Sequence, residues 1–202
     1  NENIEKFLPE NLNNFIDSNK NMNYSYVYDQ IVSNGELLST IIIHNFLKNN
    51  GLKNSWLDSR ICIKTDSYFR DSNLDWTETE KKINTHVDKN SITVTQGFIG
   101  SDSKNNTTTL GREGSDYSAA IFAYALNAKS VTIWKDVPGV LNGDPRIFRD
   151  LILLNKISYR EAIELAFYGA SVIHPKTLQP LQRKEIPLFV KSFEDPLNDG
   201  TS

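Results

Sequence analysis

The stretch Thr107–Asp116, TTTLGREGSD, decides how the rest of the sequence is interpreted. Its glycines, Gly111 and Gly114, let backbone amides come close to an anion. Arg112 stands between them and carries a planar guanidinium group that suits a carboxylate or a phosphate. Ser115 stands where a helix N-cap is expected, ahead of an apolar run. The stretch therefore predicts an anion site at the positive end of a helix dipole.

A plainer interpretation of the same stretch is a solvated loop with an ordinary N-cap. Asp116 could orient Arg112, or it could hold a cationic group such as a substrate ammonium. The stretch closes a predicted loop over residues 96–114. Loops of that length inside a compact domain are usually functional or disordered, which favours a binding site.

Hydrophobic periodicity on either side predicts alternating helices and strands. Residues 24–50 suit two helices, or one broken near Asn34–Gly35, with Gly51 as the stop. The other predicted helices span 78–88, 117–127, 159–168 and 174–185, and the predicted strands span 91–95, 130–134 and 186–191. Residues 1–23 are expected to be helical or loosely ordered. This alternation implies an α/β fold with a mostly parallel sheet covered on both faces.

Composition excludes several classes of protein. The 202 residues carry a net charge of −3 and no basic stripe, so nucleic-acid binding is not expected. The single cysteine, Cys62, cannot form an internal disulfide, and with three histidines it cannot build a zinc framework. The longest apolar stretch, Leu37–Leu47, is too short to cross a bilayer, and no signal peptide opens the chain. We therefore expect a cytoplasmic protein without membrane contact, and we assign no residue to a metal.

A second candidate loop, KDVPGVLNGDPR, occupies residues 135–146. Both loops follow predicted strands, where ligands bind in open α/β sheets. The side chains that could grip a nucleotide are those of Lys135, Asp136, Asp144 and Arg146. The alternative is a surface turn with scattered charges. The sequence contains neither a P-loop nor the protein-kinase motifs, so a nucleotide site here would need another architecture.

Four motifs, in this order, resemble those of aspartate kinases with the amino-acid-kinase fold. They are TQGFIGS (95–101), TTTLGREGSDYSAA (107–120), WKDVPGVLNGDPR (134–146) and GASVIHPKTL (169–178). The stretches VSNGELLST (32–40) and IPLFVKSFEDPLNDGTS (186–202) fit the same family, so the resemblance runs from about Val27 to Ser202. It implies a three-layer αβα sandwich with a mostly parallel central sheet, of the amino-acid-kinase or carbamate-kinase type.

The resemblance also implies an activity. Aspartate kinases transfer the γ-phosphoryl group of ATP to the side-chain carboxylate of L-aspartate with Mg²⁺, giving 4-phospho-L-aspartate for lysine, threonine and methionine biosynthesis. Arg112 is implied to bind an aspartate carboxylate. The other residues implied for the aspartate site are Glu36, Gly114, Ser115 and Asp116. The residues implied to contact ATP are Lys135, Asp136, Leu141, Arg146, Ser171 and Val172.

The chain departs from the family pattern at four of these loop positions. The family often has glycine where this chain has Glu113, and lysine where it has Ser171. A common tyrosine is replaced by Leu141, which would make an adenine contact there apolar only. A common threonine is replaced by Lys135, which could partly compensate for the lysine missing at 171.

The domain expected for residues 1–202 is an amino-acid-kinase catalytic domain cut at both ends. It lacks the N-terminal strand with its Lys-Phe-Gly-Gly loop and the C-terminal ACT domains, so little or no kinase activity is expected of this fragment. Full-length members are expected to form homo-oligomers. Two alternatives stay open, namely a kinase for a glutamate or carbamate acceptor, and a non-catalytic aspartate-binding module.

Overall fold

The computed structural model describes residue 18 and residues 22–144, 147–167 and 172–202. The expectation for the first residues, and the candidates Arg146 and Ser171, lie outside this part. The chain divides into two compact units, Asn1–Ser118 and Ala119–Ser202. Within the described residues, every helix is too short or too polar to cross a membrane.

Among the described residues of the first unit there are three helices and four strands, and a fourth helix begins there. The helices are α1 (Tyr24–Asn49), α2 (Ser59–Cys62), α3 (Trp76–His86) and α4 (Gly114–Leu126), and the strands are β1 (Asn54–Leu57), β2 (Ile92–Thr95), β3 (Ile99–Ser101) and β4 (Thr107–Thr109). Strands β1 and β2 pair in parallel, and β3 and β4 pair antiparallel. The fully buried apolar side chains of this unit include Ile63, Ile83, Ile99 and Leu110.

Helix α1 runs without a break through Asn34 and Gly35, so the predicted interruption there is wrong. The Asn34 side chain donates to the Gln30 carbonyl at 2.7 Å, which satisfies it inside the helix. Gly35 is exposed with open space around its α-carbon, so nothing forces the chain to turn. The helix ends as predicted at Gly51, which has φ +82°. The cap includes a hydrogen bond of 3.0 Å from Leu52 N to Leu47 O, typical of a Schellman motif.

Residues 96–114 form a hairpin rather than one irregular loop. Strands β3 and β4 are buried along their whole length, and β-branched threonines such as Thr107, Thr108 and Thr109 favour a strand when they are buried. The turn between the strands is held by Asp102, whose carboxylate accepts hydrogen bonds from Lys104 N at 2.9 Å and Asn106 N at 2.8 Å. The sequence showed the turn residues but not this burial.

In the second unit, β5 (Val131–Lys135) and β6 (Leu188–Ser192) pair in parallel, with Val131 opposite Leu188 and Lys135 opposite Ser192. Helices α5 (Tyr159–Phe167) and α6 (Pro175–Arg183) connect them. One buried cluster in the described part of this unit comprises Ala120, Ala123, Val131, Ile133, Ile173, Leu178, Leu181, Ile186 and Val190. The parallel pairing of β1–β2 and β5–β6 agrees with the predicted α/β class.

Both helix starts predicted in the second unit are confirmed. Ser158 and Glu161 form a reciprocal capping box, with Ser158 N donating to Glu161 Oε2 at 2.7 Å and Glu161 N donating to Ser158 Oγ at 3.2 Å. Pro175 opens α6, and the His174 ring accepts from Lys176 N at 3.2 Å. His174 therefore has a capping role in this helix.

Candidate active site

Arg112 lies in a four-residue turn that leads directly into α4. Gly114 N donates to Gly111 O at 3.1 Å and closes the turn, and the Arg112 side chain is exposed. Glu113 follows with φ +52°, in the left-handed region. Tyr117 N then donates to Glu113 O at 3.0 Å, which is the first intrahelical bond of α4. The turn thus places the backbone of Arg112 directly before the helix.

Ser115 is not the N-cap that the sequence predicts, because α4 begins at Gly114 and its first bond is accepted by Glu113. Ser115 and Asp116 instead lie in the first turn of the helix, Ser115 exposed and Asp116 half-buried. The amides of a first helical turn have no partner within the helix, and the helix dipole favours negative charge there. The anion site predicted at this helix start therefore keeps its physical basis.

The backbone of Phe98 fixes both ends of the arginine turn. Leu110 N donates to Phe98 O at 2.8 Å before the turn. After the turn, Phe98 N donates to Ser118 Oγ at 2.8 Å, and Ser118 Oγ donates to Gly114 O at 2.8 Å. Because one residue of the hairpin bonds to both sides, the turn has little freedom to open.

Gly111 needs to be glycine for a second reason besides its φ of +77°. A Cβ atom at this position would stand 2.3 Å from Oδ1 of Asp71. The loop that carries Asp71 therefore lies directly against the start of the arginine turn.

Glu36 lies in the middle of α1, away from both ends of the helix. Its side chain is half-buried, and burial raises the pKa of its carboxyl group above the usual value. Its carbonyl accepts from Thr40 Oγ1 at 3.0 Å, and Thr40 Oγ1 accepts from Gln96 Nε2 at 2.6 Å. This link ties the Glu36 turn of α1 to the segment after β2.

All five residues proposed for the aspartate site thus belong to the first unit. Four of them, Arg112, Gly114, Ser115 and Asp116, are brought together by the turn and the first turn of α4, and Glu36 comes from α1. Their grouping by elements is compatible with one carboxylate site, but which atoms would touch a ligand stays a prediction.

The described nucleotide candidates lie in the second unit. Lys135 ends β5, with its carbonyl accepting from Phe193 N at 3.0 Å, and Asp136 follows it at the surface. Leu141 forms a bridge with Leu153 in the loop between β5 and α5.

An apolar cavity of about 530 Å³ lies in the second unit. Its walls include residues of α5, α6 and β6, and Val172 is the one described nucleotide candidate among them. Tyr159 also lines it, donating its hydroxyl to Ile186 O, and burial raises the pKa of Tyr159 to about 12. The structure therefore does not gather Lys135, Asp136 and Leu141 around this cavity.

Within the described ranges, no group of three or more His, Cys, Asp or Glu side chains is placed to hold a metal ion. Magnesium at phosphoryl-transfer sites is usually bound by one or two carboxylates together with the phosphates of the nucleotide. Among the described nucleotide candidates, Asp136 has an exposed carboxylate that could take such a place.

Asp29 is a functional candidate that the motifs did not reveal. It is fully buried in α1 and accepts hydrogen bonds from Arg70 N and Thr109 N, both at 2.9 Å. The sequence feature that indicates its burial is spacing, because Asp29, Ser33 and Leu37 recur every four residues on the buried face of the helix. A carboxylate on such a face needs partners from other elements.

Comparison with known proteins agrees with the motifs. A model of the amino acid kinase family matches residues 4–192. The chain is 41% identical over 176 residues to the lysine-sensitive aspartokinase 3 of Escherichia coli (strain K12), which is 86% of this chain and 39% of that protein. The chain thus spans about two-fifths of the length of this relative.

Solved structures show the same likeness. E. coli aspartokinase III in complex with aspartate and ADP (R-state) superposes with a TM-score of 0.91 at 38% identity, covering 99% of this chain and 45% of that one. Its complex with lysine and aspartate (T-state) gives a TM-score of 0.88 at the same identity and coverage. These matches confirm the predicted α/β amino-acid-kinase fold and the resemblance to aspartokinases. Since the family model covers most of its residues, the chain belongs to the amino acid kinase family.

Proposed function

We propose that this chain is the catalytic part of an aspartate kinase, which transfers the γ-phosphoryl group of ATP to the side-chain carboxylate of L-aspartate. The observation that carries the proposal is the Gly111–Gly114 turn, which holds the exposed Arg112 at the start of α4. The similarity to E. coli aspartokinase III, solved with aspartate and ADP, supports the same acceptor. The product would be 4-phospho-L-aspartate.

Phosphoryl transfer from ATP to a carboxylate does not require a covalent intermediate with the protein. Phosphoryl transfer depends on an aligned nucleophile and on positive charge where the transition state gathers negative charge. Arg112 and the first turn of α4 would hold one aspartate carboxylate and leave the other to attack, and Glu36 would hold the ammonium group of the substrate. Bound Mg²⁺ would neutralise charge on the phosphates.

ATP is the proposed donor, and its proposed contacts are the second-unit candidates. Lys135 and Asp136 stand at the carboxyl end of β5, where ligands of α/β sheets bind. Arg146 and Ser171 are retained from the motifs alone. Residues 1–202 would form the catalytic domain of a cytoplasmic enzyme that is a homo-oligomer at full length.

The acceptor is tested by measuring phosphoryl transfer in the full-length protein with aspartate, glutamate and carbamate, each with ATP and Mg²⁺. We expect turnover with aspartate and little with the other two, because the arginine turn and Glu36 match an amino-acid substrate with two carboxylates of fixed spacing. Preferred turnover with glutamate or carbamate would replace the proposed acceptor. Aspartate binding without turnover or nucleotide binding would favour a non-catalytic module.

The role of Arg112 is tested in the same protein by calorimetric titration. We expect Arg112→Ala to weaken aspartate binding by about 10- to 100-fold, the loss of a charge-assisted bidentate contact, and to leave the affinity for ADP nearly unchanged. The matched control is Arg160→Ala, which removes an arginine side chain that is 87% exposed on α5. Equal aspartate affinity in both variants would remove Arg112 from the site.

A further inference from the structure

Three separate segments of the first unit meet at the carboxylate of Asp29. Oδ2 accepts from Arg70 N and from Thr109 N, both at 2.9 Å, and Oδ1 accepts from Thr109 Oγ1 at 2.9 Å. The side chain is completely buried. Burial raises its pKa, and the three hydrogen bonds act against that rise. One carboxylate thus joins α1, β4 and the loop that precedes α3.

The same contacts close the edge of β4 that faces away from β3. Successive residues of a strand point their backbone groups to opposite sides, so Thr107 and Thr109 present theirs to this edge. Gln30 donates to Thr107 O at 2.7 Å and accepts from Thr107 N at 3.2 Å. Ser72 donates to Thr109 O from its amide at 2.9 Å and its hydroxyl at 2.8 Å. Asp29, Gln30 and Ser72 together therefore satisfy the backbone groups on this edge of β4, as a neighbouring strand would.

Each of the joined segments leads directly to a part of the proposed aspartate site. Glu36 lies seven residues after Asp29 on α1, which is about 10 Å along the helix. Arg112 lies three residues after Thr109. Asp71 follows Arg70, and its carboxylate packs against Gly111. A shift of β4 relative to α1 would therefore move Arg112 relative to Glu36.

We propose that Asp29 is a positioning residue of the aspartate site, which fixes β4 and the Arg112 turn relative to the helix that carries Glu36. The role rests on the proposed function, because it assigns Asp29 to the spacing of two substrate-binding groups. It acts through hydrogen-bond geometry and touches no substrate. A buried carboxylate without a salt bridge is costly, and an apolar side chain at this position would leave the Thr109 and Arg70 amides without partners.

Two substitutions of Asp29 separate positioning from mere burial of a polar group. In Asp29→Asn, the amide oxygen can accept both backbone amides and the NH₂ group can donate to Thr109 Oγ1, so all three bonds can be kept. Asp29→Ala loses all three. We expect Asp29→Ala to weaken aspartate binding by about tenfold or more and to leave ADP binding within about twofold, with Asp29→Asn close to the parent.

The matched control is Asp102→Ala. Asp102 is also a buried carboxylate of this unit, with 1% exposure, and it also accepts backbone amides, but it does so at the far end of the hairpin from Arg112. Hydrogen exchange over residues 110–118 is the second measurement, and it needs no ligand. We expect faster exchange there in Asp29→Ala than in Asp102→Ala at matched thermal stability.

Equal aspartate affinity in Asp29→Ala and the parent would overturn the proposal, as would equal losses in Asp29→Ala and Asp102→Ala. If Asp29→Ala does not fold, Thr109→Val and Thr109→Ser decide in its place, because only serine keeps the hydroxyl that donates to Asp29. If the parent protein binds no aspartate, the proposed function fails, and the exchange measurement alone decides whether Asp29 holds the turn.

Discussion

Glu36 holds its carboxyl group half-buried on a helix, with no ionic partner contributing to its shifted pKa. Burial is the cause of the shift, and it raises the pKa above the ordinary 4.5. In the folded protein this group therefore keeps its proton to a higher pH than in the unfolded chain. Burial of the Glu36 carboxylate therefore lowers the stability of the fold once the group is ionised. Such burial is typical of a carboxylate that binds a positively charged ligand.

The sign of this effect gives a test without ligand. Between the unfolded pKa of 4.5 and the higher folded pKa, the folded state binds more protons, so stability falls as pH rises through that window. Glu36→Gln lacks this loss. We expect the free energy of unfolding of the variant, relative to the parent, to increase from about pH 4 to about pH 7, measured by urea titration.

Asp102→Asn serves as the control of opposite sign. Hydrogen bonds from Asn106, Ser67 and Lys104 hold the pKa of Asp102 below its usual value despite burial, so it contributes stability that is lost as pH falls. The variant should lose stability relative to the parent as pH rises. A Glu36→Gln difference that is flat or decreasing with pH would contradict the burial argument.

Residues that lie in motifs can be proposed for a site from the sequence alone. Arg112 and Ser115 are such candidates, because glycines and a helix start lie next to them. Asp29 could not be assigned a role, because its partners, Arg70 and Thr109, are 41 and 80 residues away. Glu113 shows the same limit, since its φ of +52° lies in the left-handed region that glycine favours, yet no neighbouring residue in the sequence predicts it.

Two glycines, one inside helix α1 and one just after its C-cap, differ in backbone conformation. Gly35 lies inside the helix and Gly51 follows its C-cap with φ +82°, and an added Cβ would meet nothing within 4 Å at either position. We expect Gly35→Ala to stabilise the protein by about 0.5–1 kcal/mol, because alanine loses less entropy in a helix. Gly51→Ala should destabilise it by about 1 kcal/mol, since alanine strains a left-handed cap.

Urea titration measures both changes as shifts in midpoint with an unchanged slope. Destabilisation by Gly35→Ala would mean that the helix does break near Asn34, as the sequence suggested. The Gly51→Ala variant serves as the control, because both substitutions add the same methyl group to equally open space.

At the level of elements, the sequence predicted helix ends that depend on neighbouring residues. It did not predict strands that are stabilised by residues distant in the sequence. The capping box at Ser158 and the stop at Gly51 depend on neighbouring residues, and both are confirmed. The β3–β4 hairpin was missed because its strands have three residues each and are stabilised by Gln30 and Asp29 from a distant helix. The start of α4 was placed three residues late because Glu113, rather than Ser115, accepts its first bond.

At the scale of the whole chain, the residues proposed for the two substrates lie in different units. The aspartate candidates belong to the first unit and the nucleotide candidates to the second. The order of the motifs along the sequence already separated the two groups, and the structural likeness to aspartokinase III supports that both belong to one enzyme. Each ligand should therefore leave its own footprint on the chain.

Hydrogen exchange with each ligand alone tests this division. Aspartate should slow exchange in residues 110–118 and around Glu36, because a bound carboxylate orders the arginine turn and the first turn of α4. ADP with Mg²⁺ should slow exchange in residues 135–141 and 172–178 instead. In Arg112→Ala the aspartate footprint should disappear and the nucleotide footprint should remain. Protection by aspartate confined to the second unit would mean that the acceptor site lies outside the TTTLGREGSD turn.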